Sequence, residues 1–371
     1  MAQATAQPPS GLAAVLGRTA LVMIGLSIVG VVLTAILRFG GANDVLVFVV
    51  AAATLAALAG LVGEGTDNLG GHFGPGTTGV LQSALGNLPE LFISLFALRE
   101  GLVVLTQTAL VGSILGNSLL VLGLAFFAGG LKNGRQVFDA APVRTIAIIL
   151  LLAVAALAIP TVSTAPGGPD AGHAVEISVF VSIVLLVVFV ASIPYSLRGG
   201  QGASAIAAPT GESAWPLKLA IGVLAVSGLG AAVIADWFVD ALQPAMATLG
   251  WSEAFVGLVV VALAGNAVEN VVGIQQTLRN RTDLSISLIQ NSSLQVALAL
   301  IPVLTIASLF ISPVPMTLVL SPTLLVGMAL AAILGAFVVF DGESTWLEGL
   351  MLLGLYAIIA ASVWYGPAIT V

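Results

Sequence analysis

"SALGNLPELFISLFAL", residues 83–98, places Asn87 and Glu90 in a run that otherwise has the composition of a membrane-spanning helix. A second run, "VVVALAGNAVENVVGIQQTL" at 259–278, does the same with Asn266 and Glu269. An ionisable group at the centre of a bilayer costs at least about 2.5 kcal/mol, so an acid in such a place indicates a functional site. These two stretches decide both the predicted fold and the candidate site.

The composition is that of a polytopic membrane protein. The 371 residues are 59% hydrophobic and only 7% charged, which is too apolar for an ordinary soluble domain. The 17 acidic and 10 basic residues are scattered over loops and helix ends, so we predict no nucleic-acid partner. The sequence contains no cysteine, which excludes disulfides, thiolate nucleophiles and Cys metal sites. The N-terminal stretch lacks the pattern of a signal peptide and is interpreted as a short polar tail.

The chain divides at its Gly, Pro and charged clusters into eleven apolar segments, each near the length of about 20 residues that crosses a bilayer. The longest polar interruption is rich in Gly, Ala and Ser and is predicted to be a cytoplasmic linker. We therefore predict an all-α polytopic membrane protein with about 11 transmembrane helices: an N-terminal tail and extra helix (1–40), a five-helix half (41–197), the linker (198–216) and a second five-helix half (217–371). The predicted segments are 18–37, 44–63, 77–98, 102–129, 142–160, 173–196, 216–238, 252–278, 284–311, 317–340 and 345–365.

The basic residues predict the orientation, because Lys and Arg favour the cytoplasmic ends of membrane segments. If the N-terminus is inside, only Arg38 and Arg99 lie outside. We therefore predict a cytoplasmic N-terminus and an external C-terminus, and the short loops without targeting segments favour a prokaryotic cytoplasmic membrane. The basic residues predicted to lie inside are Arg18, Lys132, Arg135, Arg144, Arg198, Lys218, Arg279 and Arg281.

The two opening stretches belong to an internal repeat. The pattern Gly-Asn-x-x-Glu occurs at 86–90 and again at 265–269, an offset of 179 positions. The helices that follow carry "GSILGN" (112–117) and "QNSSLQ" (290–295), whose polar residues match at an offset of 178. Because the third and eighth segments are five spans apart, the two repeats must cross the membrane in opposite directions. Transporters with this inverted topology bind substrate near the midplane, between the repeats.

Polar residues three or four positions apart share one face of a helix, so we predict that four polar faces converge on one site. Oxygen ligands with two carboxylates suit a hard divalent cation such as Ca²⁺, whereas Zn²⁺ prefers imidazole or thiolate. Neither His72, in a predicted loop, nor His173, at a helix start, is placed to build a zinc site. The pairs that share a face are Asn87 with Glu90, Asn266 with Glu269, Ser113 with Asn117, and Asn291 with Gln295.

A structural role is the alternative for any single polar residue in a membrane helix, because Asn and Ser commonly tie helices together. Two acids in matching motifs favour function over this alternative. Glu64 and Asp67, at the cytoplasmic end of the second segment, are interpreted as solvated residues at the mouth of the site. The structural alternative stays open, one residue at a time, for Ser113, Asn117, Asn291, Ser292 and Gln295.

The residues 85–130 and 255–298, which contain these motifs, resemble the two alpha-repeats of the calcium/cation antiporter superfamily, and most resemble its Ca²⁺/H⁺ exchanger branch. The resemblance extends over both repeats and the helix count, and it implies the cation/Ca²⁺ exchanger fold. It also implies that Glu90 and Glu269 bind Ca²⁺ and exchange it for protons, and that Glu64 has a role at the cytoplasmic entrance. The residues implied to complete the coordination are Asn87, Asn266, Ser113, Asn117, Ser292 and Gln295.

Three positions depart from the pattern of that branch: Asn270 replaces the usual His, Asn291 the usual Gly and Gly116 the usual Ser. The "PEL" at 89–91 is shared with sodium/calcium exchangers, so Na⁺/Ca²⁺ exchange on the same fold stays open. An intramembrane hydrolase using paired carboxylates and a passive cation channel are further alternatives.

The predicted activity is antiport, since either Ca²⁺ or protons neutralise the two carboxylates, and only a neutralised site crosses between its two facing states. This is secondary transport and not enzyme catalysis. The predicted partners are Ca²⁺, protons and the lipid bilayer. No cofactor is predicted, and a homo-oligomer is left open.

Overall fold

The computed structural model describes residues 12–70, 72, 85–165, 168, 172–197 and 215–366, and over these the chain is a helical bundle. Most of the predicted linker lies outside the described residues. The α-helices are α1 (Leu12–Phe39), α2 (Asp44–Gly70), α3 (Leu88–Arg99), α4 (Val103–Leu115), α5 (Leu122–Asn133), α6 (Ala140–Ser163), α7 (Ala174–Leu197), α8 (Leu217–Leu249), α9 (Glu253–Phe255), α10 (Ala262–Gly265), α11 (Ala267–Leu278), α12 (Thr282–Gln295), α13 (Ile301–Ile311), α14 (Pro322–Val338) and α15 (Trp346–Tyr365). Three π-helical turns, π1 (Gly116–Val121), π2 (Val256–Val261) and π3 (Val296–Leu300), and an antiparallel pair of strands, β1 (Gln136–Val137) and β2 (Glu343–Ser344), complete the described elements.

The helices have the lengths and composition of membrane spans. Within the described residues, eight helices are long and apolar enough to cross a membrane, and a bent pair of helices brings the number to as many as nine. The helix α14 is shorter but also apolar. The helix α3 is the described part of the predicted third segment, whose residues 77–84 lie outside the described ranges. The predicted all-α membrane fold is therefore confirmed.

Two helices extend well beyond their predicted ends. The helix α2 continues to Gly70 instead of residue 63, and α8 continues to Leu249 instead of residue 238. Both predicted ends were placed where Gly or charged residues interrupt the apolar run. The helix α8 continues because its last turns pack in the core, where Val239, Leu242 and Met246 are buried. Asp240 in this part of α8 accepts a hydrogen bond from the Arg38 guanidinium of α1 at 2.6 Å. The Gly and charged residues at which the helix ends were predicted therefore lie inside these two helices.

The two repeats share their local geometry. Both α3 and α11 have 12 residues, and their bounds differ by the offset of 179 positions predicted from the motifs. The helix pairs that follow also match, since α5 ends at Asn133 and α13 at Ile311, 178 positions later. The inverted repeat therefore extends from the polar motifs to the helix ends.

The halves meet at closely packed backbones in the centre of the bundle. A Cβ atom placed on Gly112 in α4 would lie 2.4 Å from the carbonyl oxygen of Leu258 in π2. A Cβ atom on Gly257 would lie 2.6 Å from the carbonyl oxygen of Leu105. Two glycines on facing helices thus allow α4 and π2 to cross at backbone contact, as small residues do in membrane bundles. This crossing places the second helix of one repeat against the broken helix of the other.

Charged residues lie at opposite ends of the bundle. The ammonium group of Lys132, at the end of α5, donates to the carbonyl oxygen of Leu278, so α5 and α11 end on the same face. Arg279 follows directly on that face. The Arg38–Asp240 ion pair lies at the far ends of α1 and α8. The assignment of the Lys132 face to the cytoplasm stays a prediction from the positive-inside rule.

Candidate cation site

Asn87 and Asn266 occupy the breaks that precede α3 and α11. Their backbone angles are nearly the same, φ −92° and ψ 17° for Asn87 and φ −96° and ψ 20° for Asn266. Neither side chain caps the helix that follows it. The segments on either side of the second break are bent by 63°. Both amide side chains are consequently available for contacts across the interior of the bundle.

Glu90 and Glu269 are the third residues of α3 and α11. The start of a helix carries a partial positive charge and unpaired N–H groups, which favour a carboxylate in the first turn. Glu90 is buried, with 4% of its surface exposed, whereas Glu269 is half-buried. The two carboxylates are close enough to repel each other electrostatically. The inverted repeat thus brings one acid from each half into the same interior region.

A hydrogen-bonded network joins Glu90 to the second repeat. The Asn266 amide donates to Glu90 Oε1 at 2.9 Å and lies 2.8 Å from Ser113 Oγ. Asn117 donates to Ser292 Oγ at 3.0 Å and approaches Asn266 Oδ1 at 3.4 Å. All five residues are buried. Ser113 and Asn117 of the first repeat and Asn266 and Ser292 of the second therefore form one network that ends at the Glu90 carboxylate.

A second contact reproduces the first across the internal symmetry. The Asn87 amide donates to Gln295 Oε1 at 3.3 Å. Asn87 corresponds to Asn266 in the other repeat, and Gln295 corresponds to Asn117, so this contact is the counterpart of the Asn117–Asn266 contact. Asn291, one turn before Gln295, is half-buried. The predicted polar faces of α3, α4, α11 and α12 do meet at the centre.

Two buried oxygens at this centre have no donor among the residues that the structure describes. They are Glu90 Oε2 and Asn117 Oδ1. An unsatisfied buried polar group costs about 1–3 kcal/mol, and more when it is charged. Carboxylate and amide oxygens are the ligands that hard divalent cations prefer. Among the described residues no group of three or more His, Cys, Asp or Glu side chains is present, so the site's charge comes from a pair of acids.

Gly265 makes room for the Glu90 side chain. A Cβ atom at this position would lie 2.4 Å from Glu90 Cγ and 3.3 Å from its Cδ. Non-bonded carbon atoms do not approach to 2.4 Å, so any other residue here would displace Glu90. Gly265 of the second repeat therefore positions Glu90 of the first repeat. The sequence motif does not reveal this contact.

Two further acids form a line from the surface towards the site. Asp67 is exposed and Glu64 is half-buried, both in the last turns of α2. Asp67 interacts electrostatically with Glu269 and with Glu64. Exposure thus decreases from Asp67 through Glu269 to Glu90. Asp67 therefore lies within electrostatic reach of Glu269, and the entrance role of Glu64 and Asp67 stays a prediction.

The structure adds features that sequence reasoning missed. The hydroxyls of Ser118 and Ser293, both buried, lie 3.4 Å apart beside the Asn117–Ser292 contact. The π-helical turn π1 contains Asn117, and π3 begins directly after Gln295. Such turns are frequent at functional sites. Ser118 and Ser293 each follow a predicted ligand in the sequence, and this adjacency could have indicated the serine pair. The π-helical turns could not be predicted, because no amino-acid composition is typical of them.

The chain matches a family model and several known proteins over nearly its full length. The model for "Sodium/calcium exchanger protein" matches residues 43–198 and 219–365. The Ca²⁺/H⁺ antiporter ChaA of Bacillus subtilis is 36% identical, over 84% of this chain and 90% of the relative. A Ca²⁺/H⁺ antiporter of Synechocystis sp. is 33% identical, over 89% of this chain and 93% of the relative.

A solved structure agrees with these sequence matches. The structure of native YfkE superimposes with a TM-score of 0.80 at 33% identity, covering 92% of this chain and 99% of the other. The alignment includes both repeats, so the two-repeat exchanger architecture predicted from the motifs is confirmed. The chain therefore belongs to the sodium/calcium exchanger family, in its Ca²⁺/H⁺ exchanger branch, and is an ion antiporter and not an enzyme.

Proposed function

We propose that this protein exchanges Ca²⁺ for H⁺ across a membrane, with Glu90 and Glu269 as the shared binding groups. The observation that carries the proposal is the position of these two acids: one from each inverted repeat, in the first turn of matched helices, and within electrostatic reach of each other. The names of the bacterial relatives support the same pair of ions.

The proposed coordination uses the oxygens that surround the two acids. Glu90 Oε2 and Asn117 Oδ1, which have no donor, are the first candidates. The bound ion would take the place of the missing hydrogen-bond donors, and its two positive charges would balance the two carboxylates. The further proposed ligands are Asn87, Asn266, Ser113, Ser292 and Gln295.

The antiport follows from the charge of this site. When Ca²⁺ leaves, two negative charges remain in a weakly solvated interior, and both burial and mutual repulsion favour proton uptake. A site with two bare carboxylates is the costly species, whereas the Ca²⁺-loaded and protonated sites are electrically balanced. If only balanced sites pass between the two facing states, Ca²⁺ and protons must move in opposite directions.

Alternating access would come from rocking of the helices that carry the acids. In this proposal α2 and α3 of the first half (41–197) move with their counterparts α8 to α11 of the second half (217–371), against the remaining helices. The extra helix (1–40) and the linker (198–216) would lie outside the repeats. A cytoplasmic N-terminus and an external C-terminus, in the cytoplasmic membrane of a prokaryote, complete the proposed arrangement.

Sodium/calcium exchange is the second candidate function. It is favoured by Pro89-Glu90-Leu91, a sequence shared with sodium/calcium exchangers. Against it, Asn117 and Gln295 supply neutral amides at the two positions where a third acid would help to bind additional cations. With two carboxylates, two protons or one Ca²⁺ complete the charge balance.

The test separates the two coupling ions in purified protein reconstituted into liposomes. Ca²⁺ uptake is measured under an imposed pH gradient without Na⁺, and under an imposed Na⁺ gradient at equal pH. We expect uptake with the pH gradient alone. Uptake that requires Na⁺ would mean that the same site exchanges Ca²⁺ for Na⁺. Ca²⁺ flux that persists without either gradient would indicate a channel.

The entrance acids give a separate prediction. Neutralising both, as Glu64→Gln with Asp67→Asn, should weaken the apparent Ca²⁺ affinity from the Lys132 face by about tenfold at low ionic strength, because the line of acids concentrates cations near the site. The effect should shrink at about 0.5 M salt, where charges are screened within a few ångströms. Initial uptake rates at graded Ca²⁺ concentrations check this.

A matched control for the entrance variant is Asp341→Asn, which removes an exposed charge from the turn after α14. We expect wild-type affinity at both salt concentrations for this control. Equal effects of the control and the entrance variant would mean that net surface charge, and not the line of acids, attracts the cation.

A further inference from the structure

Three side chains from the first half hold the end of the helix that carries Glu269. The Asn133 amide donates to the Thr277 carbonyl oxygen at 2.8 Å, and the Gln136 amide donates to the same oxygen at 3.3 Å. The Lys132 ammonium donates to the Leu278 carbonyl oxygen at 3.0 Å. The last carbonyls of a helix carry a partial negative charge, so these donors are well matched to them. The Thr277 oxygen also accepts from the Asn280 N–H at 2.9 Å. We name Lys132, Asn133 and Gln136 with these two carbonyls the inner clasp.

Gln136 anchors the inner clasp to the rest of the bundle. Its side chain is 1% exposed, and its Oε1 accepts from Ser344 Oγ at 3.3 Å while its amide binds α11. Its backbone pairs with Ser344 in the β1–β2 ladder. Gly129 provides the space, since a Cβ atom there would lie 2.4 Å from Gln136 Nε2. The end of α11 is thereby tied to both α5 and the β2 strand.

The opposite end of the inverted repeat has different chemistry. At the offset of 178 positions that relates α5 to α13, the counterparts of Lys132, Asn133 and Gln136 are Phe310, Ile311 and Val314. All three are hydrocarbon side chains without a hydrogen-bond donor. The corresponding end of α3, at Leu98 and Arg99, therefore has no equivalent of the inner clasp from these positions. The internal symmetry is broken at one end of the molecule.

We propose that the inner clasp positions α11 and biases the exchanger towards the conformation in which the site is reached from Asp67. This rests on the proposed function, because it requires two facing states. In the structure Glu269 is half-buried and interacts electrostatically with Asp67, and the end of α11 is held against α5. In this proposal, closing the access from Asp67 separates the end of α11 from α5 and so breaks the three hydrogen bonds.

A two-state bias of this kind has a specific signature. The apparent dissociation constant on each face equals the intrinsic constant divided by the fraction of protein open to that face. The ratio of the two apparent constants, Lys132 face over opposite face, therefore changes in proportion to the conformational equilibrium. A general loss of folded protein lowers the maximal rate in both directions and leaves this ratio unchanged.

The experiment measures apparent Ca²⁺ constants from each face, in vesicles of both orientations, for wild type and for Lys132→Met with Asn133→Asp. Asn133→Asp keeps the size of the side chain and removes its donor. We expect the ratio of constants to rise about tenfold, as the loss of two hydrogen bonds implies. Lys132→Arg keeps a donor, and Val137→Ala alters an exposed side chain of β1, so both should retain the wild-type ratio.

An unchanged ratio in the double variant, at any measurable rate, would overturn the proposal. Hydrogen–deuterium exchange of the purified protein tests the clasp independently of transport, because amides at 275–281 should lose protection in the double variant and keep it in Val137→Ala. If wild type transports no Ca²⁺, the proposed function fails. Exchange then decides whether the clasp holds α11, and equal protection in all variants would reject it.

Discussion

Glu90→Gln and Glu269→Gln are each expected to lower coupled Ca²⁺ exchange by at least about 100-fold. Each change removes one of the two charges that balance the ion, and breaking a buried charge pair by deleting one partner costs about 3 kcal/mol or more. Glutamine keeps the size of the side chain, so packing around the buried Glu90 should persist. Uptake of radioactive Ca²⁺ by proteoliposomes under a pH gradient is the measurement, with the folded fraction checked by size-exclusion chromatography.

Glu253→Gln is the matched control for these two variants. Glu253 is also a partly buried acid of the broken helix in the second repeat, but its partner is the backbone of Leu105 at the start of α4. Glutamine can accept the same hydrogen bond, so near wild-type exchange is expected. Wild-type exchange in Glu90→Gln or Glu269→Gln would leave the paired carboxylates without their proposed role.

Gly265→Ala should be almost as damaging, although it changes no polar group. The new methyl group would lie 2.4 Å from Glu90 Cγ, so either the carboxylate or α10 must shift. Overpacking of this kind costs about 1–3 kcal/mol, and a displaced ligand would lose part of the coordination as well. We expect Ca²⁺ affinity and exchange to fall by at least about tenfold, with a smaller effect on stability. Calcium titration and thermal unfolding of the purified protein separate the two effects.

The control for this substitution is Gly335→Ala, in the interior of α14. A Cβ atom there meets nothing within 4 Å, so the change should leave exchange intact and should stabilise the helix slightly, by about 0.5–1 kcal/mol. If Gly265→Ala bound Ca²⁺ as tightly as wild type, the seating of Glu90 against Gly265 would not determine the geometry of the site.

The sequence was sufficient for the architecture because the repeat is carried by rare residues. Asn and Glu seldom occur in membrane helices, so their recurrence at 86–90 and 265–269 was detectable without much further identity between the halves. The structure then gives α3 and α11 equal lengths at the same offset. The apolar segments predicted most of the other helices. The ends of α2 and α8 were placed too early, because the prediction treated polar residues as helix breakers.

The contacts between the repeats were beyond reach of the pattern. Helical spacing predicted which polar residues share a face, yet it did not pair Asn87 with Gln295 or Asn117 with Ser292, because those pairings depend on how the helices cross. The position of Gly265 against Glu90 depends on the same crossing. Lys132 was recognised only as a basic residue of the predicted cytoplasmic side, and Asn133 was not singled out, since a backbone carbonyl as the partner leaves no trace in a sequence.

The helices α4 and α5 are joined by π1 into one long helix, and π1 determines the directions of the side chains of α5 relative to those of α4. It lies between Ser113, which contacts the site, and Lys132, which holds α11. Each residue advances an α-helix by about 100°, and a π turn holds one residue more than the α turn it replaces. Removing that extra residue would rotate the lower half of the helix by about a quarter turn relative to the upper half. A change in the length of π1 would therefore misalign Ser113 with Lys132 even if every side chain at both ends were kept.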